Sequence, residues 1–254
     1  MPDSFSLPSC GLPPAGPGCD AASEPPFDLP PSIFPHPMTF DFTDLTPGDR
    51  YKLLTGVIVP RPIAFVTSQD EQGRVNAAPF SYFNTMGADP PVVVIGPGDR
   101  GPDRPKDTAR NIAATRQFVV NLVDEALVER MNLAATDFPP EVSEVDALGL
   151  ATAPSVRLDV PRLADAPASL ECTEVVTLTI GHTRMIVGQV HYLHIRDDLI
   201  DPERLYVRTD RLHLVGRMQG HGYVRTRDRF ELERLSYAEW LAREAERART
   251  GSES

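Results

Sequence analysis

Cysteine, lysine and long apolar runs are scarce in this chain of 254 residues. Its three cysteines are Cys10, Cys19 and Cys172, and no C-x-x-C pair or zinc-ligand spacing can be written from them. An odd number of cysteines without a disulfide framework is typical of a reducing compartment. The N-terminus also has neither the basic nor the apolar region of a secretory signal. We therefore expect a cytoplasmic protein that has no metal site.

Membranes and nucleic acids are poor candidates for partners. Apolar runs such as residues 92–96 are far shorter than the roughly 18 to 20 residues that cross a bilayer, so no membrane-spanning helix is expected. Acidic side chains number 36 against 25 lysines and arginines, which gives a formal net charge of -11. Because binding to nucleic-acid phosphates needs clustered positive charge, we expect no nucleic-acid partner. An anionic ligand must be held by a local basic patch.

Composition divides the chain into three parts. Residues 1–37 contain eleven prolines and no lysine or arginine, a composition that predicts a flexible arm. Residues 38–235 carry the periodic apolar pattern of a folded domain. Residues 236–254 begin with the capping box Ser236-x-x-Glu239 and predict a C-terminal helix and tail. We therefore predict one folded domain with an extension at each end.

Strands dominate the predicted secondary structure. The sequence predicts a hairpin from residues 62–68 and 74–80, and further strands at 92–95, 118–122, 171–180 and 185–195. Helices are predicted at 47–55, 107–116 and 125–135, and residues 138–167, with five prolines, are predicted to form a long structured loop. Because short turns join most successive strands, the order favours a mainly β fold, an antiparallel barrel with peripheral helices, over a parallel βαβ stack.

Two apparent motifs do not support the chemistry they suggest. The run G-P-G-D-R-G at residues 96–101 matches a dinucleotide-binding pattern, but Pro102 and Pro105 prevent the helix that this pattern requires. We interpret it as a loop. His191 and His194 lie an odd number of residues apart in a predicted strand, so they point to opposite faces and are not interpreted as a metal pair. Hydrolase and Walker motifs are absent from the sequence.

Basic side chains and one hydroxyl group lie around the start of the helix predicted at 107–116. They belong to Arg100, Arg104, Lys106, Thr108 and Arg110. The N-terminus of a helix presents unpaired amides and the positive end of the helix dipole, which favours a phosphate. Three nearby aspartates nearly balance the charge, so a solvated surface patch is the alternative. Lys106 stands out because the chain has 23 arginines and only two lysines.

The second candidate stretch is N-A-A-P-F-S-Y-F-N at residues 76–84. Pro79 lacks an amide donor and is expected to interrupt a strand, which would turn nearby amides and the side chains of Ser81 and Asn84 towards a ligand. Ala77 and Ala78 are small enough to let a flat ring approach the backbone. The alternative is a structural bulge at the corner of a barrel.

Several ordered motifs resemble those of one family. They are V-P-R-P-I-A-F-V-T at 59–67, G-x-x-N-x-A-P-F-S-x-F-N at 73–84, D-P-P at 89–91, K-D-T-x-x-N-I at 106–112 and G-R-x-x-G-x-x-Y at 216–223. Across about residues 44–235 the chain resembles the flavin reductase-like, FMN-binding split-barrel family that includes flavoredoxin.

This resemblance implies a Greek-key antiparallel barrel that forms a homodimer and holds FMN near the subunit interface. It implies ten cofactor-binding residues, of which the last three surround the phosphate: Arg61, Asn76, Ala78, Pro79, Phe80, Ser81, Asn84, Lys106, Asp107 and Thr108. Arg217 and Tyr223 also match the pattern, and they could equally stabilise the dimer.

The activity implied by the resemblance is NAD(P)H-dependent flavin reduction, in which hydride passes from NADH or NADPH to flavin N5. The cofactor carries this chemistry, so no catalytic side chain is assigned. The reductant would bind transiently because the sequence has no nicotinamide-binding motif. A flavin-dependent monooxygenase or another redox partner would take the electrons. A non-catalytic FMN electron carrier and a split barrel that has lost its flavin remain alternatives.

Overall fold

The computed structural model describes residues 38–101 and 104–251. Contacts divide the chain into two units, residues 1–45 and 46–254. In the described part of the first unit, the Asp41 carboxylate accepts hydrogen bonds from the amide and the hydroxyl of Thr43. The arm predicted at residues 1–37 lies outside the described residues, and the three predicted domain boundaries remain predictions. Every helix and strand of the described residues belongs to the second unit.

The second unit contains thirteen strands and six α-helices in its described residues. The strands are β1 (Ala64–Gln69), β2 (Val75–Phe80), β3 (Phe83–Ala88), β4 (Pro91–Ile95), β5 (Gln117–Leu122), β6 (Thr152–Ala153), β7 (Arg162–Leu163), β8 (Ala168–Ile180), β9 (Thr183–Ile195), β10 (Ile200–Asp201), β11 (Tyr206–Val207), β12 (Val215–Arg217) and β13 (Tyr223–Arg225). The helices are α1 (Pro47–Val57), α2 (Asp107–Thr115), α3 (Val128–Leu133), α4 (Glu144–Ala147), α5 (Thr209–Leu212) and α6 (Tyr237–Gly251).

Seven strands form one antiparallel sheet in the order β2-β1-β5-β8-β9-β4-β3. Its two edge strands, β2 and β3, are consecutive in the chain and are joined only by Ser81 and Tyr82. The amide of Gly96, just after β4, donates to the carbonyl of Tyr82 at 2.7 Å and fixes this corner. The predicted mainly β, antiparallel fold with peripheral helices is confirmed.

The sheet has a hydrophobic core on each face. Successive side chains of a strand point to opposite faces, and Ala64 and Val66 accordingly join one core while Ile63 and Phe65 join the other. Helix α2 packs its Ala109 and Ile112 into the first core, and helices α3 and α4 pack against the second. The position of α2 against β1 and β2 brings its N-terminus beside β2.

A buried asparagine connects the middle of the sheet to β7. Asn121 on β5 is fully buried and donates to the carbonyl of Phe65 at 2.9 Å. Its carbonyl oxygen accepts hydrogen bonds from the Leu163 amide at 2.9 Å and the Ser169 hydroxyl at 2.8 Å. Because buried polar groups need partners, this side chain fixes β7 and β8 relative to β5.

Side-chain caps confirm the predicted starts of two helices, α1 and α6. The Thr46 hydroxyl accepts a hydrogen bond from the Asp49 amide at the start of α1. At the start of α6, the Glu239 carboxylate accepts a hydrogen bond from the Ser236 amide, and the Ser236 hydroxyl accepts one from the Glu239 amide. No helix within 38–101 or 104–251 is long and apolar enough to cross a membrane.

The expected interruption of the strand at Pro79 is wrong. Pro79 lies inside β2, opposite Phe65 of β1, and the ladder continues to Phe80. Proline is tolerated there because β2 is an edge strand, where an amide that faces away from the neighbouring strand makes no ladder bond. The strand ends after Phe80, at the corner that carries Ser81.

Other parts of the chain also differ from the prediction. Strand β3 was not predicted because it is an exposed edge strand with no apolar alternation. The helix predicted at 125–135 is shorter, as α3 covers Val128–Leu133. The long loop predicted at 138–167 contains α4, β6 and β7, whose two to four residues are too short to show a period.

Candidate functional site

The N-terminus of α2 faces strand β2. Lys106 is the N-cap residue of α2, with an extended backbone, and its side chain makes no capping hydrogen bond. Instead, its ammonium group lies over the ring of Phe80, 5.6 Å from the ring centroid. The first amides of α2 therefore remain available to an acceptor beside a positive side chain.

Lys106 is a half-buried cation that has no carboxylate partner among the described residues. Burial lowers the pKa of its ammonium group, the Arg100 guanidinium lowers it further, and Asp137 raises it. In the described part of the chain no carboxylate oxygen lies within 4.0 Å of Lys106 Nζ. A charge removed from water in this way is stabilised by an anion.

The aspartates near Lys106 are neutralised by arginines. Asp107 forms ion pairs with Arg110 and with Arg100, the latter at 3.3 Å. Asp99 forms a two-bond pair with Arg184, at 2.9 and 3.1 Å. Among the described residues, Asp99 and Asp107 are thus balanced by arginines, and no carboxylate pairs with Lys106.

A hydrogen-bonded cluster joins β2, α2 and α4. The Thr108 hydroxyl lies 3.0 Å from the Asn76 side-chain amide, and in the orientation that satisfies both groups it donates to Asn76 Oδ1. In that orientation Asn76 Nδ2 lies 3.3 Å from Glu144 Oε1 and donates to it. The other oxygen of Glu144 accepts a hydrogen bond from the Ala77 amide at 3.1 Å.

Glu144 belongs to the candidate site but was not predicted from the sequence. Burial raises the pKa of its carboxyl group, and the charge of Asp107 raises it as well. Glu144 lies in the segment predicted to be a loop, where a single glutamate carries no signal. Ser143, whose hydroxyl accepts from the Asp146 amide as a helix cap, followed by acidic residues, is the signal that could have placed a helix start here.

Two adjoining cavities run along β2. The first, about 100 Å³, is lined at one end by Lys106, Thr108 and Glu144, and the second, about 160 Å³, by Ser81 and Arg217. Both cavities share Pro79, Phe80 and Ala135. We refer to the two together as the Phe80 groove, with a Lys106 end and an Arg217 end.

Arg61 acts on the groove through Ser81. Its buried guanidinium donates to the carbonyls of Thr55 and Ile58, both at 2.7 Å, and to the carbonyl of Met218 at 3.1 Å. Its Nε lies 3.3 Å from the Ser81 hydroxyl and donates to it. Because its donors are engaged within the protein, Arg61 holds the corner after β2 in place and lines the groove only through that corner.

The Arg217 end is built by β12, β13 and α3. The Arg217 guanidinium donates to the carbonyl of Gly220 and lies over the Tyr223 ring, 4.6 Å from its centroid. The Tyr223 hydroxyl donates to Asn132 Oδ1 at 2.8 Å. Ile63, Phe80 and Met131 give this end apolar walls.

Most of the predicted binding residues meet in the groove. Seven line its first cavity, namely Asn76, Ala78, Pro79, Phe80, Lys106, Asp107 and Thr108. Ser81 lines the second cavity, and Arg61 contacts Ser81 from behind. Asn84 lines neither cavity; it is exposed on β3, where its side-chain oxygen accepts a hydrogen bond from the Thr85 amide.

The histidines singled out in the sequence bind protein groups. His194 Nε2 lies 2.6 Å from the buried carboxylate of Glu171, and His191 Nε2 lies 2.7 Å from the Thr173 hydroxyl. In the residues that the structure describes, no group of three or more histidine, cysteine, aspartate or glutamate side chains is placed to hold a metal ion.

Solved structures similar to this one belong to redox proteins. Pseudomonas fluorescens 2-nitrobenzoate 2-nitroreductase is 42% identical, with a TM-score of 0.73, covering 79% of this chain and 98% of that one. Nitrilotriacetate monooxygenase component B from Bacillus cereus is 32% identical, with a TM-score of 0.75, covering 78% of this chain and all of that one (100%).

The split-barrel fold is shared with a structure from Shewanella frigidimarina that is described as having a split barrel domain. It is 19% identical, has a TM-score of 0.66 and covers 79% of this chain and 100% of that chain. A family model described as "Flavin reductase like domain" matches residues 57–215. These residues include β1 to β9 and α2, and therefore both sides of the Lys106 end of the groove. The protein is thus a split barrel, and it belongs to the flavin reductase-like domain family.

Proposed function

We propose that this protein binds FMN in the Phe80 groove and transfers electrons from NADH or NADPH to a free flavin or another acceptor. The observation that carries the proposal is the half-buried ammonium of Lys106, which pairs with no carboxylate of residues 38–101 or 104–251 and lies beside the uncapped first turn of α2. An ammonium group and helix amides together form a binding site for a phosphate monoester.

The residues present fit such a cofactor. At the Lys106 end, Lys106 and the first amides of α2 would hold the phosphate, and Arg100 neutralises Asp107 and Asp137 so that these carboxylates repel it less. Along β2, Ala78 and Pro79 leave the backbone open to a flat ring. FMN, when bound, supplies the redox chemistry by accepting hydride at N5.

This chain contributes binding and orientation rather than proton transfer. Ser81, held by Arg61, fixes the corner where β2 ends, and Phe80 and Met131 exclude water from the groove. The amides near Phe80 and Ser81 are preorganised donors for charge that develops on a ring. The reductant has no binding domain of its own, so we expect it to bind transiently at the open side of the groove.

The similar proteins support a redox role. One is named a nitroreductase and the other a component of a monooxygenase, and both exceed 30% identity over more than three quarters of this chain. We therefore propose that the electron acceptor is a flavin-dependent monooxygenase or a small oxidised molecule. We also propose that the protein acts in the cytoplasm.

A homodimer with FMN near its interface is part of the proposal. The outer half of β8 exposes four apolar side chains, Val175, Val176, Leu178 and Ile180, which a second copy would cover. Sedimentation velocity tests this directly. We expect a dimer, with Leu178→Lys shifting it towards monomer; a monomeric wild-type protein at high concentration would refute this part.

The test of the function is a visible spectrum of the purified protein, followed by NADH and NADPH oxidation with FMN, FAD and riboflavin. The proposal predicts a flavin spectrum after FMN is added and steady-state turnover with at least one reductant. A protein that binds FMN but does not oxidise either reductant is the electron carrier. A protein that neither binds FMN nor quenches its fluorescence has lost the flavin, and the proposal fails.

A further inference from the structure

The Phe80 groove has a cation at each end. Lys106 lies at one end and Arg217 at the other, and Pro79, Phe80 and Ala135 line both cavities between them. Neither cation has a carboxylate oxygen within 4.0 Å among residues 38–101 and 104–251. An elongated ligand with negative charge at both ends would complement this groove.

Arg217 is fixed in place before any ligand binds. Its backbone pairs with Arg61 through two hydrogen bonds, at 3.0 and 2.8 Å. Its guanidinium is held by the Gly220 carbonyl and by the face of Tyr223, and the Tyr223 hydroxyl is bonded to Asn132 of α3. A side chain that is already held by these contacts loses little conformational entropy when an anion binds to it. Its positive charge is therefore preorganised.

The walls around Arg217 favour a flat apolar body with a charged edge. Ile63, Phe80 and Met131 line the cavity together with the Tyr223 ring. A partly buried cation without a counter-ion is stabilised when an anion enters. A bound anion can supply the negative charge that the described residues do not place beside Arg217.

We infer that Arg217 is the counter-ion of reduced FMN and sets the reduction potential of the bound cofactor. This rests on the proposed function. Hydride transfer would break the C4–H bond of the reduced nicotinamide and form an N5–H bond on FMN. The nicotinamide would lose two electrons and be oxidised. FMN would gain two electrons and one proton, so its net charge would become more negative by one. With the phosphate at the Lys106 end, that charge would lie on the ring at the other end of the groove, which Arg217 lines.

The two cations then have different effects. The phosphate carries the same charge in both redox states, so Lys106 stabilises oxidised and reduced FMN alike. The ring is neutral when oxidised and anionic when reduced, so Arg217 stabilises reduced FMN preferentially. Lys106 therefore sets how tightly the cofactor is held, and Arg217 sets how readily it is reduced.

The test is the midpoint potential of bound FMN, measured anaerobically with a reference dye, together with the dissociation constant of oxidised FMN. Arg217→Gln is expected to weaken binding of reduced FMN about tenfold more than that of oxidised FMN, which lowers the two-electron potential by about 30 mV. Arg217→Lys should restore most of the difference. Lys106→Ala should weaken both forms equally and leave the potential unchanged.

The control is Arg225→Gln. Arg225 lies on the same β-ribbon, its side chain is 73% exposed, and it pairs with Glu125. This variant should keep the wild-type potential. If Arg217→Gln binds oxidised and reduced FMN with the wild-type affinity ratio, Arg217 has only a structural role and the inference is overturned.

A variant with a titratable side chain at position 217 provides a second test if Arg217→Gln does not fold. Arg217→His carries a positive charge only below an imidazole pKa of about 6.5. Its potential should approach that of wild type at low pH and fall further below it at higher pH. A constant difference across that range would overturn the inference, whereas wild-type protein that does not bind FMN at all refutes the proposed function instead.

Discussion

The ammonium group of Lys106 lies 5.6 Å from the centroid of the Phe80 ring, so the start of α2 and the end of β2 meet at one point. The ring shields one side of the cation from water, and Arg100 and Arg110 bind Asp107. We propose that Lys106 and Phe80 give this chain, whose net charge is -11, a local binding site for an anion.

Removing the Lys106 charge should weaken FMN binding. We expect Lys106→Ala to cost about 1 to 3 kcal/mol of binding free energy, the range for a hydrogen bond to a charged group. Fluorescence titration with FMN measures this. The matched control is Lys52→Ala, because Lys52 is the other lysine of the chain, is 71% exposed and pairs with Asp49. Equal affinity of the two variants would remove Lys106 from the site.

The affinity for FMN should fall at alkaline pH. Burial lowers the pKa of Lys106 in the free protein, whereas a bound phosphate favours its charged form. Binding is therefore strongest below the lowered pKa of Lys106 and is lost as the pH rises through it, in a range where the phosphate, with a pKa of about 6, is already a dianion. Lys106→Arg keeps its charge and should flatten the profile. A parallel fall in both proteins would contradict this assignment.

Glu144 should make the protein less stable as the pH rises. Burial raises the pKa of its carboxyl group, so the folded state holds this proton more tightly than the unfolded state. The stabilising contribution is complete below the unfolded-state pKa of about 4.3 and declines as the pH rises towards the folded-state pKa. Glu144→Gln removes this titration and keeps an oxygen acceptor for the Ala77 amide.

Urea unfolding at several pH values measures the effect. Glu144→Gln should exceed wild type in free energy of unfolding at pH 7, with a difference that shrinks towards pH 4. The exposed Glu141→Gln, three residues earlier, should follow wild type. A difference that is independent of pH would show that Glu144 acts through packing rather than through its proton.

The buried amide of Asn121 should be a large single contribution to stability. Asn121→Ala leaves the buried Leu163 amide without a partner and removes an acceptor from Ser169. An unsatisfied buried group costs about 1 to 3 kcal/mol, and we expect a loss in that range or above. Chemical denaturation followed by circular dichroism checks it. The exposed Asn84→Ala serves as control; a loss no larger than in the control would contradict the network.

Local patterns predicted the elements that carry the Lys106 end. The period of α2 and the proline-bounded strands are properties of neighbouring residues, which a sequence displays directly. Lys106 and Phe80 could also be placed near each other through the family resemblance. The effect of Pro79 could not be predicted from its position in the chain, because it depends on whether β2 is an edge strand, which is decided by the whole sheet.

Contacts between distant segments could not be predicted from the sequence. Arg217 pairs with Arg61 across more than 150 residues, and only the register of the sheet brings the two together. Glu144 enters the site through a four-residue helix that has no detectable period. Which arginine neutralises which aspartate is likewise set by three-dimensional packing, so the net charge could not reveal that Lys106 pairs with no carboxylate among the described residues.

A crystal structure of the protein with FMN tests the central claim most directly. We expect electron density for the phosphate within hydrogen-bonding distance of Lys106 Nζ and the first amides of α2. The ring should lie along Pro79 and Phe80, towards Arg217. Density for FMN bound elsewhere, with Lys106 making no contact to its phosphate, would contradict the account.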